Sequence, residues 1–371
     1  MRNSQNRRLL LRNTARAQCL REAQTLFNGG IFKMAKKETK DFQQSINTVQ
    51  IVGTIEEINL KVEDEVKNKD TGKVDKRGAR ISAKEFKNPA FTIKSGDGIF
   101  GVDIIPTYEK TEKDGELVEN PKFKALKTIM GYEKGTRVKV DAQFSENGYA
   151  GQDGTFKSVT KLTMFSMTSN GVDDKDSAEA KVSGIIKSIK EETVNDEETG
   201  RLKVELYMID YTGATYPIEL TVEEVLKGKD DDGNEFEITA EDFTDAYEKL
   251  NSVILNLELV TKVVGGGKSE EKLAFGRKSK IQRGFTKTEY RVVGGAPVIE
   301  EPDEDEPKSD DKYYISREQI KKLLADRDVM IEAKLEEKKN GKSASEDTSK
   351  KGLGRKSKVE DVDDIEDDPF N

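Results

Sequence analysis

One ordered pattern of short strand-like runs occurs twice in this chain, and it restricts the fold more than any single motif does. In VQIVGTIEEINL (Val49 to Leu60) apolar and polar residues alternate around Gly53, as in a half-buried strand bent at a residue without a side chain. FTIKSGDGIFGVDII (Phe91 to Ile105) reads as two strands about the turn Ser95-Gly96-Asp97-Gly98. FKALKTIM (Phe123 to Met130) is helix-like, and RVKVDAQFSENGYAGQDGTFKSVTKLTMFSM (Arg137 to Met167) supplies two more strands, joined through Asn147-Gly148 and Asp153-Gly154. The order strand, hairpin, helix, strand, strand returns after the polar stretch Asn170 to Asp176. VSGIIKSIK (Val182 to Lys190) sets Gly184, Ile186 and Ile189 at the spacing of Gly53, Ile55 and Ile58. YMIDYTGATYPIEL (Tyr207 to Leu220) repeats the hairpin, EDFTDAYEKL (Glu241 to Leu250) replaces the helix, and VILNLEL (Val253 to Leu259) alternates as Val138, Val140, Ala142 and Phe144 do. The reading is a duplicated small β domain; two unrelated β domains are the competing one.

Residue types missing from the chain exclude much chemistry. With no His, no Trp and one Cys among 371 residues, Cys/His zinc sites and imidazole-dependent nucleophiles are impossible, and a general base would have to be a carboxylate or a Lys. The acidic run Asp230-Asp231-Asp232 sits beside Gly233-Asn234 in a turn, where solvated or cation-binding carboxylates fit better than a two-metal nuclease centre. A protein that is not an enzyme and uses no cofactor is expected. No apolar run approaches the roughly 20 residues that cross a bilayer, and one cysteine makes no disulfide framework, so a reducing, cytoplasmic setting is expected.

Charge is unevenly spread. Charged residues make up 36% of the chain against 34% apolar, more charge than an ordinary domain carries, so part of the chain is expected to build no core. The net charge of −9 conceals a +6 segment at residues 1–33 and two −7 segments at 300–311 and 359–371, which leaves the rest nearly neutral. Residues 1–33 have a transit peptide's composition, yet Asn28-Gly29-Gly30 ahead of Met34-Ala35-Lys36-Lys37 reads better as a translated ribosome-binding leader; a genuine basic arm is the third reading. The expected organisation is a disordered or artefactual extension at 1–45, a first barrel at 46–169, a linker at 170–177 and a second barrel at 178–294. An acidic linker at 295–315 leads to an amphipathic helix at 316–339 and a disordered tail at 340–371. Ser316 and Gln319 form a capping box, and Ile320, Leu323, Leu324, Ile331 and Leu335 share one helical face, suited to docking.

A five-stranded barrel with a helix between its third and fourth strands is the oligonucleotide/oligosaccharide-binding (OB) fold, so the fold class is mostly β: two tandem OB-fold-like barrels, a C-terminal helix and a disordered acidic tail. At three places the chain resembles the bacteriophage and bacterial single-stranded-DNA-binding proteins. INTVQIVGTI (Ile46 to Ile55) is similar to their first strand, YEKGTRVKVDAQFSENGYAGQDGTF (Tyr132 to Phe156) to their fourth strand and flanking turns, and DDIEDDPFN (Asp363 to Asn371) to their acidic tip. The resemblance implies a protein that coats single-stranded DNA in replication, recombination or repair and recruits partner proteins through Asp363, Asp364, Ile365, Asp367, Asp368, Pro369 and Phe370. It leaves the oligomeric state open.

Single-strand binding needs flat aromatic faces beside a cationic track. The first barrel offers Phe86, Phe91, Phe100, Tyr108 and Tyr149 with Lys73, Lys76, Arg77, Arg80, Lys84, Lys87 and Lys94; residues 73–94 hold seven basic side chains against Asp75 and Glu85. The second offers Tyr207, Tyr211, Tyr216 and Phe285 with Lys272, Arg277, Lys278, Lys280, Arg283 and Lys287. Each aromatic is equally a candidate core residue of a small barrel, and each cation a candidate solvated surface group. A virion or scaffold protein that uses barrels for protein contacts would also explain the repeat, though not the basic hairpin followed by a detached acidic tip.

Overall fold

The structure, a computed structural model, describes residues 43–348 except for 68–71, 86–87, 152, 173–174, 195, 230–234, 271–279 and 304–307. In the first barrel, β1 (Asn47–Ile58) turns Val49, Ile51 and Ile55 inward. The chain then makes an excursion through β2 (Leu60–Glu63) and β3 (Arg80–Ala83) before the hairpin of β4 (Phe91–Ser95) and β5 (Gly98–Asp103). β6 (Thr107–Tyr108) pairs back onto β3, so β2, β3 and β6 form a small sheet of their own. A second hairpin, β7 (Lys110–Lys113) and β8 (Glu116–Glu119), turns at Asp114 and Gly115, both at positive φ, as the Asp-Gly pair permits.

Helix α1 (Pro121–Ile129) starts at the Asn120 cap, with Pro at its first position, and buries Phe123, Leu126 and Ile129. β9 (Arg137–Ala150) and β10 (Phe156–Thr168) follow. The sheet runs β1-β4-β5-β10-β9 and closes by pairing β9 with β1, with β5 and β10 parallel through Leu162 opposite Val102. Strand order, the single parallel pair and a helix before the fourth strand make this an OB barrel.

The second barrel repeats the plan. β11 (Ser177–Val194), β12 (Glu197–Ile209) and β13 (Thr215–Val222) lead through the hairpin of β14 (Val225–Lys229) and β15 (Glu235–Thr239) into α2 (Ala240–Ala246), held by a Thr239/Asp242 capping box. β16 (Ser252–Glu270) and β17 (Lys280–Gly295) complete it. Here the order is β11-β12-β13-β17-β16, closed by β16 on β11, again with one parallel pair, β13 and β17. The paired glycines of the sequence repeat share one cause. A Cβ on Gly53 would lie 2.1 Å from the Lys94 carbonyl oxygen, and one on Gly184 2.4 Å from that of Tyr207, so in both barrels the second strand crosses against a bare backbone.

The two barrels meet through their first strands. β1 and β11 pair antiparallel from Asn47 opposite Val182 to Val52 opposite Ser177, which joins ten strands into one sheet. Val49 faces Ala180, and each stands four residues before its barrel's glycine, so the junction is locally two-fold. Asn47 bonds both the Phe144 carbonyl and the Tyr216 hydroxyl, each at 2.8 Å. Helix α3 (Arg317–Thr348) begins at the Ser316/Gln319 capping box, and Ile320 and Leu323 pack with Ile315 on Ile185 and Ile209 of the second barrel. The chain forms two compact units: one ends at Asn147 and resumes over Ser158–Arg327, and the other combines Gly148–Lys157 with the chain from Asp328. Among the described residues no helix is long and apolar enough to cross a membrane.

Candidate nucleic-acid interface

The excursion carries Lys73, Lys76, Arg77, Arg80 and Lys84, and the outward face of β4 carries Lys94. Strand alternation sorts the residues of β4 and β5. Thr92 and Lys94 face out opposite Gly101 and Ile99, whereas Phe91 and Ile93 face in opposite Val102 and Phe100. Phe91 and Phe100 are 0% and 1% exposed, so the expectation that they stack on bases is corrected: they are core residues. Ile99, 47% exposed, is the apolar side chain beside Lys94.

In the excursion, Arg77 and Arg80 are engaged by carboxylates. Arg77 grips Asp75 with Nη2 to Oδ2 at 2.6 Å, and its guanidinium lies 3.7 Å from the centre of the Tyr108 ring, forming a half-buried stack. Arg80 holds Glu63 with Nη2 to Oε2 at 2.5 Å. The hydrogen bond from Arg77 keeps the Asp75 carboxyl below its ordinary value, and those from Lys61 and Arg80 do the same for Glu63. Lys76, Lys84 and Lys94 are exposed and form no ion pair among the described residues. Lys73 is exposed as well. Lys84 borders a cleft of about 430 Å³ lined in part by Leu60, Met130 and Tyr132. The β4–β5 turn is anchored to the segment entering the second barrel: Gly96 N donates to Asp176 at 2.6 Å, and Arg137 bonds the same carboxylate at 2.5 Å.

A family model described as YorF matches residues 45–341, from the start of the first barrel into α3. This chain belongs to the YorF family. No curated protein matches it. Among solved structures, the wild-type single-stranded DNA binding protein from Thermus aquaticus is similar over 71% of this chain and 97% of that one, at 9% identity and a TM-score of 0.38. A deletion mutant of that protein is similar over 71% and 99%, at 10% identity and a TM-score of 0.39.

In this YorF family member the second barrel differs from the first at the corresponding face. Tyr207 is 7% exposed, with Lys187 Nζ 4.9 Å and the Arg327 guanidinium 5.8 Å from its ring centre. Tyr216 is 6% exposed at the barrel junction, where its hydroxyl donates to the Phe144 carbonyl at 3.1 Å, and burial pushes its phenol well above the ordinary range. The expectation of stacking is corrected for both, because their rings are enclosed. Tyr211, at the β12–β13 turn, is 55% exposed.

The outward rows of β12, β13, β17 and β16 carry a charge network that sequence reading missed. Arg201 contacts Glu192 at 2.7 Å, Glu289 at 2.8 Å and Glu223 at 2.9 Å. Lys203 bonds Glu192 at 3.1 Å, Lys262 bonds Glu289 at 2.7 Å, and Arg291 bridges Glu223 at 3.0 Å and Glu258 at 3.2 Å. Lys287 reaches Glu219 at 3.3 Å. Burial raises the Glu289 carboxyl, and hydrogen bonds from Lys262 and Arg201 outweigh that and leave it below its ordinary value; Glu192 is lowered likewise, chiefly by Lys203. The signal in the sequence was alternation of opposite charges, Arg201/Lys203/Glu205 against Glu219/Glu223 and Lys287/Glu289/Arg291, at period two.

The remaining expected residues fall elsewhere. Tyr149, 47% exposed, belongs to the unit of Gly148–Lys157 and the chain from Asp328. Within that unit Lys334 lies 5.6 Å from the Phe156 ring centre and donates to Gly148 O at 3.4 Å, while Lys338 donates to Ala150 O at 2.5 Å. The backbone sets Lys280 opposite Glu270 and Arg283 opposite Gly267 on the β16–β17 ladder. Phe86, Lys87, Lys272, Arg277 and Lys278, and the tip residues Asp363, Asp364, Ile365, Asp367, Asp368, Pro369 and Phe370, lie outside the described residues.

Proposed function

We propose that this protein binds single-stranded DNA without marked sequence preference, through the excursion and the outward β4–β5 face of its first barrel. The observation that carries the reading is the set of exposed cations Lys76, Lys84 and Lys94, which form no ion pair among the described residues, on those two elements, the parts of an OB barrel that track a nucleic-acid strand. Unpaired ammonium groups can exchange condensed counterions for phosphates at no cost in protein ion pairs. The Arg77–Tyr108 stack adds a planar group, already held in place, against which a base can lie. Among the described residues no helix on this face is placed to read base edges, so affinity should depend on salt rather than on sequence. The wider role is coating single strands during replication, recombination or repair in the cytoplasm of a bacterial host, with the tip at residues 363–370 as the hook for partner proteins.

Fluorescence anisotropy with an oligothymidylate and a duplex of equal length tests the reading. Wild-type protein should prefer the single strand and lose affinity steeply as salt rises. Replacing Lys76, Lys84 and Lys94 together by Gln should flatten the log–log salt dependence by about 2, since each neutralised phosphate contributes about 0.7 on a single strand. Equal affinity for duplex, or a triple variant that binds like wild type, refutes it.

A further inference from the structure

The two barrels share a fold and a junction, yet their outward faces differ: Lys76, Lys84 and Lys94 of the first form no ion pair among the described residues, whereas Arg201, Lys203, Lys262, Lys287 and Arg291 of the second are each held by a carboxylate. We propose that the outward face of the second barrel formed by β12, β13 and residues 252–262 and 287–295 is closed to a nucleic-acid strand by Glu192, Glu223 and Glu289, so that single-stranded DNA engages the first barrel and not this face. This rests on the single-strand-binding reading above.

The register places the closing groups. Lys203 lies opposite Thr221, Thr221 beside Arg291 in the parallel pair, and Arg291 opposite Glu258, which forms one outward row across four strands. Glu289 lies opposite Val260, and Lys287 opposite Lys262, on the same face. These are the second, third, fifth and fourth strands of an OB barrel, where a strand would lie. The row holds the cations Arg201, Lys203, Lys262, Lys287 and Arg291, enough by number to track a phosphate backbone. Each already has a carboxylate within 3.3 Å, and Glu192, Glu223 and Glu289 are only 13%, 19% and 10% exposed.

Counterion release drives single-strand binding when free cations meet phosphates. A cation that must first leave a partly desolvated carboxylate releases nothing net, and the abandoned carboxylate then repels the incoming phosphate. Helix α3 covers the end of this face nearest the β12–β13 turn, where Ile185 and Ile209 pack with Ile315, Ile320 and Leu323. On the first barrel the matching position is open. Tyr207 and Lys94 occupy equivalent places, each carbonyl pressing on its barrel's glycine; Tyr207 is enclosed, and Lys94 is exposed without an ion pair among the described residues.

Hydrogen–deuterium exchange of the full chain with and without oligothymidylate reads the prediction directly. Protection should appear in residues 59–67, 72–85 and 88–103 and be absent from β12, β13 and residues 287–295. Protection of those second-barrel strands overturns the proposal. The gain-of-function variant Glu223→Gln with Glu289→Gln should bind at least fivefold more tightly at low salt and show new protection on β12 and β13. A variant with the wild-type circular dichroism spectrum that binds no more tightly also overturns it. Should that pair fail to fold, Glu219→Gln at the network's exposed edge is expected to tighten binding by a smaller factor, and unchanged affinity counts against the proposal. If the wild type binds no single strand, the parent reading falls; the closure survives only if the Gln variant then binds, and is overturned with it if neither does.

Discussion

Phe91 and Lys94 are three residues apart on one strand, and that odd spacing alone sends them to opposite faces. The same parity puts Phe100 inside, opposite Ile93. Treating basic and aromatic residues as one cluster ignored this period, although it was legible in FTIKS. Phe100→Ala should therefore cost about 3–5 kcal/mol of stability, as truncation of a buried ring does, and leave the single-strand affinity of the folded fraction unchanged; urea melts and anisotropy separate the two effects. Arg327 could not have been singled out from sequence. It is 6% exposed, bonded to Glu146 at 2.6 Å and to the Thr215 carbonyl, with a partner 181 residues away that no local pattern reveals. Glu146→Ala should cost about 3–5 kcal/mol by leaving a buried guanidinium without its carboxylate, read as a fall in melting temperature.

Elements that carry their own signals were the readable ones. The α3 capping box, the Gly-bent first strands and the Asp-Gly turns are local, and the structure has the box at Ser316 and Gln319, the bends at Gly53 and Gly184 and a turn at Asp153-Gly154; Asn147-Gly148, expected as a turn, instead lies inside β9, which runs on to Ala150. The sheet of β2, β3 and β6 was not readable, because strands of four, four and two residues leave no periodicity and pair across the β4–β5 hairpin. The charge network on β12, β13 and β17 makes the stability of the second barrel depend on pH. Glu192 and Glu289 titrate below the value of 4.5 they would have in the unfolded chain, so the unfolded state binds their protons first on acidification. Their contribution is full above about pH 5 and is lost as pH falls through the lower folded values. Urea midpoints should drop between pH 6 and pH 3, and Glu289→Gln should make that drop smaller.

At the scale of the molecule, the antiparallel β1–β11 seam makes one chain from two barrels around a local two-fold at Val49 and Ala180. Tyr216 sits on this seam, and Tyr216→Phe should cost about 0.5–1.5 kcal/mol, the net worth of its hydrogen bonds to Asn47 and Phe144, with no loss of single-strand affinity. The acidic segment 359–371 belongs to this scale too. Its removal should raise single-strand affinity, most at low salt, and abolish capture of replication proteins, whereas Phe370→Ala should lose the partners and keep the affinity; anisotropy and pull-down from host extract check both. The amino-acid order by itself determined that the chain is mostly β, that its plan occurs twice with glycine at the bend, and that its cations gather before the second strand, because strand period, turn chemistry and local charge are properties of neighbouring residues. Only the tertiary structure decided which cations are free. Whether Lys94 lacks an ion pair among the described residues while Arg201 meets Glu192, Glu223 and Glu289 depends on partners brought together from up to 88 residues apart, and pairing at that separation is set by barrel closure.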